Sequence, residues 1–227
     1  MHVLRTGGEY LAGRERRLWW LLLSTGVIVI GLSLAAGLIL ETWLTVLGGG
    51  FVVLAIRRIA WTRLQRVRKG RLGERLIANL LRQLSDDYYL VNDVTLPDRR
   101  GNIDHVVVGP CGVVVIETIR IAGRIRCDGD AWYVNGRRRA SISSRVDAAA
   151  AAVRRFLGER HPEIADRFVQ SVTVFTHPLC VLDVYRARAT VVRYSELLQV
   201  LRYMGQSHRM APRVAERLAT TLARSQR

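Results

Sequence analysis

Residues 101–119, GNIDHVVVGPCGVVVIETI, decide the fold of this chain. They contain two runs of mostly β-branched residues, 103–108 and 112–119, with Pro110 and Cys111 between them. Turn residues between two such runs predict adjacent antiparallel strands. Both runs are apolar on both faces, which indicates central strands of a sheet that is covered on each side.

Further helix-like and strand-like segments surround this hairpin. Strands are predicted at 88–91, 123–127, 131–134, 168–175 and 189–192, and helices at 72–84, 143–159, 195–204 and 212–223. This order predicts an α/β fold with a mixed, mainly antiparallel central sheet flanked by helices, and not a doubly wound parallel sheet. The three cysteines are far apart and form no Cys-x-x-Cys pair, so packed, reduced thiols are expected.

The N-terminal region is apolar. No charged residue occurs from Leu18 to Leu40, and a helix of that length, at about 1.5 Å per residue, crosses a hydrocarbon core of roughly 30 Å. A shorter apolar stretch, 42–56, follows Glu41 and can be extended by Ile59 to Trp61. We therefore expect two transmembrane helices, 18–40 and 42–56 or slightly beyond, that form a hairpin. A cleaved signal peptide is the alternative.

Arginines flank this hairpin on both sides, within 1–17 and 57–71. The positive-inside rule then places both termini in the cytoplasm, as expected of a two-span protein of the cell membrane. We divide the chain into a basic N-terminus (1–17), the hairpin (18–56), a basic juxtamembrane arm (57–71), a folded domain (72–180) and a C-terminal extension with two helices (181–227).

The charge of the chain favours anionic partners. The net charge of +16 comes almost wholly from arginine, because Lys69 is the only lysine. Such a balance fits nucleic acid, DNA or RNA, and equally fits an anionic lipid surface. Charge alone does not choose between these partners, and the sequence leaves the oligomeric state open.

Two carboxylates, Asp104 and Glu117, interrupt the apolar strands of the central hairpin. A buried carboxylate is costly unless it has a partner or a cation, and the hairpin register can bring these two together. Paired carboxylates can hold Mg²⁺ or Mn²⁺, which could activate water against a phosphodiester. The alternative is a structural pair neutralised by arginines of the domain.

Three segments together resemble a known family: GERLIANLL (73–81), GNIDHVVVGPCGVVVIET (101–118) and GRIRCDGDAWYVNG (123–136). They are similar to the nuclease-related domain, NERD, of the PD-(D/E)xK nuclease superfamily. The resemblance implies a restriction-endonuclease-like fold and metal-dependent phosphodiester hydrolysis. By motif position it implies that Glu74 is the helix glutamate, Asp104 the first metal-binding carboxylate and Glu117 the acidic residue of the E-x-K element.

The sequence departs from this family at two polar positions. The lysine of E-x-K should fall at position 119, which is Ile119, and the glutamine expected at the start of the next helix is replaced by Ser144 or Arg145. Arg124 or Arg126, on the strand that follows, could stabilise developing negative charge in place of the lysine.

Three functions follow as hypotheses. The first is a membrane-anchored, nuclease-related protein that binds nucleic acid or a partner and has weak or lost phosphodiesterase activity. The second is an active Mg²⁺- or Mn²⁺-dependent nuclease with catalytic Glu74, Asp104 and Glu117 and an arginine in place of the lysine. The third is a structural protein whose basic domain rests on anionic membrane lipid.

Overall fold

The computed structural model describes the chain except for residues 6–8, 41–42, 100, 162–168, 208–209 and 226–227, and it describes only part of the side chains of the two N-terminal helices. The helices are α1 (Glu9–Leu40), α2 (Trp43–Leu81), α3 (Ser143–Gly158), α4 (Leu197–Ser207) and α5 (Pro212–Arg224), and a 3₁₀ turn covers Tyr194–Glu196. The strands are β1 (His2–Arg5), β2 (Tyr89–Val94), β3 (Ile103–Gly109), β4 (Gly112–Ile119), β5 (Gly123–Asp128), β6 (Ala131–Val134), β7 (Arg137–Arg139), β8 (Val169–Phe175), β9 (Cys180–Tyr185) and β10 (Thr190–Arg193).

The chain forms two compact units. One comprises Met1–Gly8 together with Leu72–Arg227, and the other comprises Glu9–Arg71. The C-terminal segment that we separated at residue 181 thus belongs to the same unit as the predicted domain, and so does the N-terminal strand. A strand at His2–Arg5 was not predicted, because it forms by parallel pairing with β2, and pairing over so long a stretch of chain leaves no local pattern.

Helix α2 is longer than predicted. The second apolar stretch, the basic arm 57–71 and the helix expected from residue 72 form one continuous helix, Trp43–Leu81. The segment contains no proline, and the three consecutive glycines at 48–50 cost helix stability of about 1 kcal/mol each without removing a backbone donor. The change in composition at residue 57 therefore does not mark the end of an element.

Within the described residues, no helix combines the length and the apolar character that crossing a membrane requires. The transmembrane helices predicted at 18–40 and 42–56 are not supported by this finding.

The larger sheet is mixed, as predicted, but it is not mainly antiparallel, because three of its five described strand pairs are parallel. Its strand order is β1-β2-β3-β4-β8-β10, with antiparallel pairs β2–β3 and β3–β4 and parallel pairs β1–β2, β4–β8 and β8–β10. The register of β3 and β4 runs from Gly109 opposite Gly112 to His105 opposite Ile116, which confirms the predicted hairpin. The central strands β3 and β4 are buried almost along their whole length.

Each face of this sheet is covered by helices. On one face, Val106 and Val115 pack with residues of α3 and α5. On the other face, Val107 and Val114 pack with the C-terminal part of α2 and with α4. Helices on both faces explain why the central strands are continuous apolar runs without alternation.

A second sheet has the order β7-β6-β5-β9. Its buried face includes Ile125, Cys127 and Trp132, which cluster with Phe175 of β8. The predicted β5–β6 hairpin is present, whereas β7 and β9 were not predicted. Strand β7 consists of three arginines, and nothing in its composition distinguishes it from a solvated loop.

Candidate metal centre

Polar side chains form one row across three neighbouring strands of the larger sheet. Glu117 of β4 is paired with Thr173 of the parallel strand β8. Continuing the β3–β4 register one step beyond His105 and Ile116 places Asp104 opposite Glu117. Paired residues of adjacent strands share a face, so Asp104, Glu117 and Thr173 lie on the same side of the sheet. This is the face that α3 covers.

Asp104 lies at the point where the β3–β4 ladder ends. The backbone N–H of Thr118 donates a hydrogen bond to Asp104 Oδ2 over 2.8 Å. Burial raises the pKa of Asp104 above its ordinary value, and the hydrogen bond from Thr118 and the charge of Arg145 oppose this rise. A carboxyl group held in this way releases its proton near neutral pH more readily when a cation is close.

The two carboxylate oxygens of Glu117 have different surroundings. Arg145 Nη2 lies 2.6 Å from Glu117 Oε1, while Glu117 Oε2 is buried and has no hydrogen-bond partner among the described residues. Burial, followed by the nearby charge of Asp104, raises the pKa of Glu117, and Arg145 lowers it. Glu117 Oε2 is thus a buried oxygen to which no group of the described residues donates a hydrogen bond.

Arg145 is the arginine that forms an ion pair with Glu117. It lies in the first turn of α3, where the resemblance led us to expect a glutamine, and its side chain is 64% exposed whereas that of Glu117 is 4% exposed. From the sequence, Arg124 and Arg126 were expected in this role. Both belong to the second sheet and are exposed, and Arg124 Nε instead pairs with Asp183 Oδ2 at 2.9 Å. The contact of Arg145 was not predicted because it depends on how far a side chain of α3 reaches. The spacing of residues along the strands does not indicate this.

Glu74 does not form a metal-holding group with Asp104 and Glu117 among the described residues. It follows Gly73 of α2, and a Cβ at Gly73 would lie 3.0 Å from the Thr118 side chain, which projects from β4 on the face opposite to that of Glu117. Among the residues that the structure describes, no three or more acidic, histidine or cysteine side chains form a group that could hold a metal. The structure therefore joins Asp104 and Glu117, and the catalytic role of Glu74 stays a prediction.

His105 belongs to the other face of the sheet, as expected for the residue after Asp104. Its Nδ1 lies 2.6 Å from Asn92 Oδ1, and Asn92 Nδ2 donates to the backbone oxygen of Arg5 over 2.7 Å. Burial lowers the pKa of His105 to about 3. A neutral, buried imidazole with these neighbours is a core group that ties β3 to β2 and β1.

The residues present fit a small divalent cation. Mg²⁺ and Mn²⁺ bind oxygen, and Mg²⁺ commonly uses one or two carboxylates and completes its shell with water. Asp104 and Glu117 supply two carboxylates in a buried setting, and Glu117 Oε2 is without a partner in the described structure. A cation would reduce the repulsion that contributes to the raised pKa of Glu117.

The comparisons with known proteins agree with the resemblance. Residues 69–176 match the family model described as nuclease-related domain, NERD. No curated protein and no solved structure is similar enough to the chain to be matched with it. The matched segment begins within α2, continues through the row of Asp104, Glu117 and Thr173, and ends just after β8. Residues 69–176, just under half of the chain, are therefore similar to the nuclease-related domain, NERD.

Proposed function

We propose that this NERD domain binds nucleic acid, keeps a divalent-cation site at Asp104 and Glu117, and has weak or lost phosphodiesterase activity. The observation that carries the proposal is the buried carboxylate pair with an unpartnered oxygen next to an isoleucine at the lysine position. The sequence has the acidic residue of the E-x-K element, Glu117, but it has Ile119 at the position of the lysine.

The division of roles follows from the chemistry of the groups. Asp104 and Glu117 would hold Mg²⁺ or Mn²⁺, and the bound ion would supply Lewis acidity toward a phosphate oxygen. The side chain of Ile119 has no hydrogen-bonding group, so it can neither orient a water molecule nor offset developing charge. By analogy with the loss of a preorganised donor, this absence costs about 10²- to 10³-fold in rate.

An active nuclease is the second candidate, and Arg145 favours it. Its guanidinium group lies 2.6 Å from Glu117 and is largely exposed, so it combines contact with the site and access to a bound phosphate. Arginine remains protonated at neutral pH and could stabilise negative charge, but it could not remove a proton from water. Cleavage that is lost in an Arg145→Gln variant, while cation binding remains, would favour this candidate over the first.

A basic surface of the second sheet supports nucleic acid as the partner. Tyr133 of β6 lies between Arg126 of β5 and Arg138 of β7 in the strand register. Both arginines are exposed and the tyrosine is half-buried. Guanidinium groups bind phosphates and aromatic rings stack on bases, so this arrangement suits a single-stranded nucleic acid. Anionic lipid, which the charge would equally attract, lacks a base to stack on Tyr133.

A membrane tether is a further part of the proposal. The part of α1 and α2 outside the NERD unit exposes large apolar side chains, among them Trp20, Leu21, Val27, Leu32, Phe51 and Leu54. Contiguous exposed apolar surface marks contact with a membrane or a partner. With the arginine-rich flanks, this supports a hairpin in the cell membrane with both termini and the domain in the cytoplasm. Alkaline extraction tests it: release of the chain without detergent would contradict insertion.

Calorimetric titration of the full-length chain with Mn²⁺ tests the cation site. We expect binding in the wild type, loss of binding in Asp104→Ala, and unchanged binding in Asp98→Ala, which removes an exposed acid instead. A plasmid-cleavage assay on the same samples separates the candidates. Binding without cleavage supports the first, binding with cleavage supports the second, and no binding contradicts both.

A further inference from the structure

Thr173 is a buried residue with an unused hydroxyl group. Its side chain is fully buried, and Thr173 Oγ1 has no hydrogen-bond partner in the part of the chain that the structure describes. Leaving a buried hydroxyl without a partner costs about 1–3 kcal/mol. Valine would fill the same space on a strand without this cost. The presence of a hydroxyl group at this buried position therefore needs an explanation.

The neighbouring hydroxyl groups of this segment are satisfied. Ser171 Oγ donates to Asp147 Oδ1 over 2.6 Å, and Thr176 Oγ1 donates to the backbone oxygen of Ile119 over 3.3 Å. Thr173 differs from both in its surroundings, because it is paired in register with Glu117 of the next strand. The segment can therefore satisfy hydroxyl groups, and the exception occurs beside the carboxylate.

Two unpartnered buried oxygen atoms thus occur on paired residues of one sheet face. Glu117 Oε2 and Thr173 Oγ1 belong to adjacent strands, and each lacks a partner among the described residues. Neither satisfies the other, although the hydroxyl could donate to the carboxylate at a suitable distance. One ligand that accepts electron density from both oxygens, as a hard cation does, would satisfy both atoms.

We propose that Thr173 supplies a neutral oxygen ligand to the divalent cation held by Asp104 and Glu117. This inference rests on the proposed function, since it assigns a third protein ligand to the same cation. It also gives the site a donor set of two carboxylates and one hydroxyl, to which water can be added. The hydroxyl would retain its proton and bind through a lone pair.

Thr118 provides a matched control. Its Oγ1 is also buried and unpartnered within the described chain, yet it belongs to the residue after Glu117 and projects from the opposite face of β4. Thr173→Val and Thr118→Val make the same chemical change on the two sides of the sheet. Both remove one hydroxyl and keep the β-branched shape of the side chain.

The experiment is calorimetric titration of the full-length wild type, Thr173→Val, Thr118→Val and Thr173→Ser with Mn²⁺, with a thermal melt of each. We expect Thr173→Val to weaken Mn²⁺ binding by at least tenfold, Thr118→Val to change it less than twofold, and Thr173→Ser, which keeps a hydroxyl, to stay close to the wild type.

Unchanged Mn²⁺ affinity in Thr173→Val would overturn the inference and indicate a buried water or an unused hydroxyl. Equal losses in both valine variants would also overturn it, since they would point to a general effect on the sheet. If Thr173→Val has a lower melting temperature than the wild type, the Mn²⁺ affinities of Thr173→Ala and Thr173→Ser are compared instead. Equal Mn²⁺ affinities of these two variants would contradict the inference. No binding by the wild type itself would contradict the proposed function first.

Discussion

At the scale of single residues, Glu117 is held under opposing influences. Burial and the neighbouring Asp104 raise its pKa from 4.5 to about 7, while the contact with Arg145 lowers it. A carboxyl group whose pKa is higher in the folded state than in the unfolded state stabilises the fold at low pH. That stabilisation is lost as the pH rises from about 4.5 to about 7.

The first prediction concerns the neutral analogue of this group. Glu117→Gln cannot ionise, so without added metal its melting temperature should exceed that of the wild type at pH 8 by a few degrees. The difference should shrink toward zero as the pH falls to 4.5, because the wild-type carboxyl group is then protonated. Thermal melts across this range measure it, with the exposed Asp98→Asn as a control. A difference that does not change with pH would contradict the assigned cause.

The sequence predicted part of this site. Apolar strands interrupted by Asp104 and Glu117, with a turn between them, were enough to bring the two carboxylates together. The contact of Arg145 and the place of Thr173 were not predictable, because they depend on where α3 lies and on the parallel register of β4 and β8. Long-range parallel pairing leaves no local pattern in the sequence.

At the scale of elements, the C-terminal part of α2 packs closely on the larger sheet at Gly73. A Cβ on this residue would lie 2.9 Å from Thr176 Oγ1 and 3.0 Å from Thr118 Cγ2. Glycine therefore allows the close approach of helix and sheet, although it lowers the intrinsic stability of the helix. Gly70, one turn earlier, has no atom within 4 Å of such a position among the described residues.

The second prediction compares these two glycines. Gly73→Ala should lower the free energy of unfolding by about 1–3 kcal/mol through overpacking. Gly70→Ala should raise helix stability by up to about 1 kcal/mol, because alanine has the higher helix propensity. Chemical denaturation of both variants measures the two changes. Equal effects of the same sign would show that α2 does not pack on the sheet as described.

Element boundaries were less predictable than element types. The hairpins β3–β4 and β5–β6 and the helices α3 and α5 were expected from turns and periodicity, and all are present. The continuity of α2 was missed because its composition changes from apolar to basic without a helix-stopping residue. Strand β9 was missed because half of its side chains are exposed in an irregular pattern.

At the scale of the whole molecule, the chain has a net charge of +16, and part of its positive charge lies on strands with a fixed arrangement. The row Arg126, Tyr133 and Arg138 is fixed by strand pairing in the second sheet, in contrast to arginines that are scattered over helices. An ordered surface of this kind loses little conformational freedom when it binds a polyanion.

The third prediction tests this surface. The double variant Arg126→Glu and Arg138→Glu should weaken binding of single-stranded nucleic acid at least tenfold at moderate salt. It should also reduce the dependence of affinity on salt, because fewer counterions are released. Arg213→Glu, an exposed arginine of α5, is the control and should change the affinity much less. Similar losses in all variants would indicate binding through net charge alone.

The measurement that tests the account most directly is plasmid cleavage in Mn²⁺ by the wild type, Ile119→Lys and Ile119→Lys combined with Asp104→Ala. Ile119 is only partly buried, so a lysine there can extend toward the carboxylates. We predict little cleavage by the wild type, a rate about 10²- to 10³-fold higher in Ile119→Lys, and loss of that gain without Asp104. Equal rates in the wild type and Ile119→Lys, both dependent on Asp104, would contradict the claim that position 119 limits the chemistry.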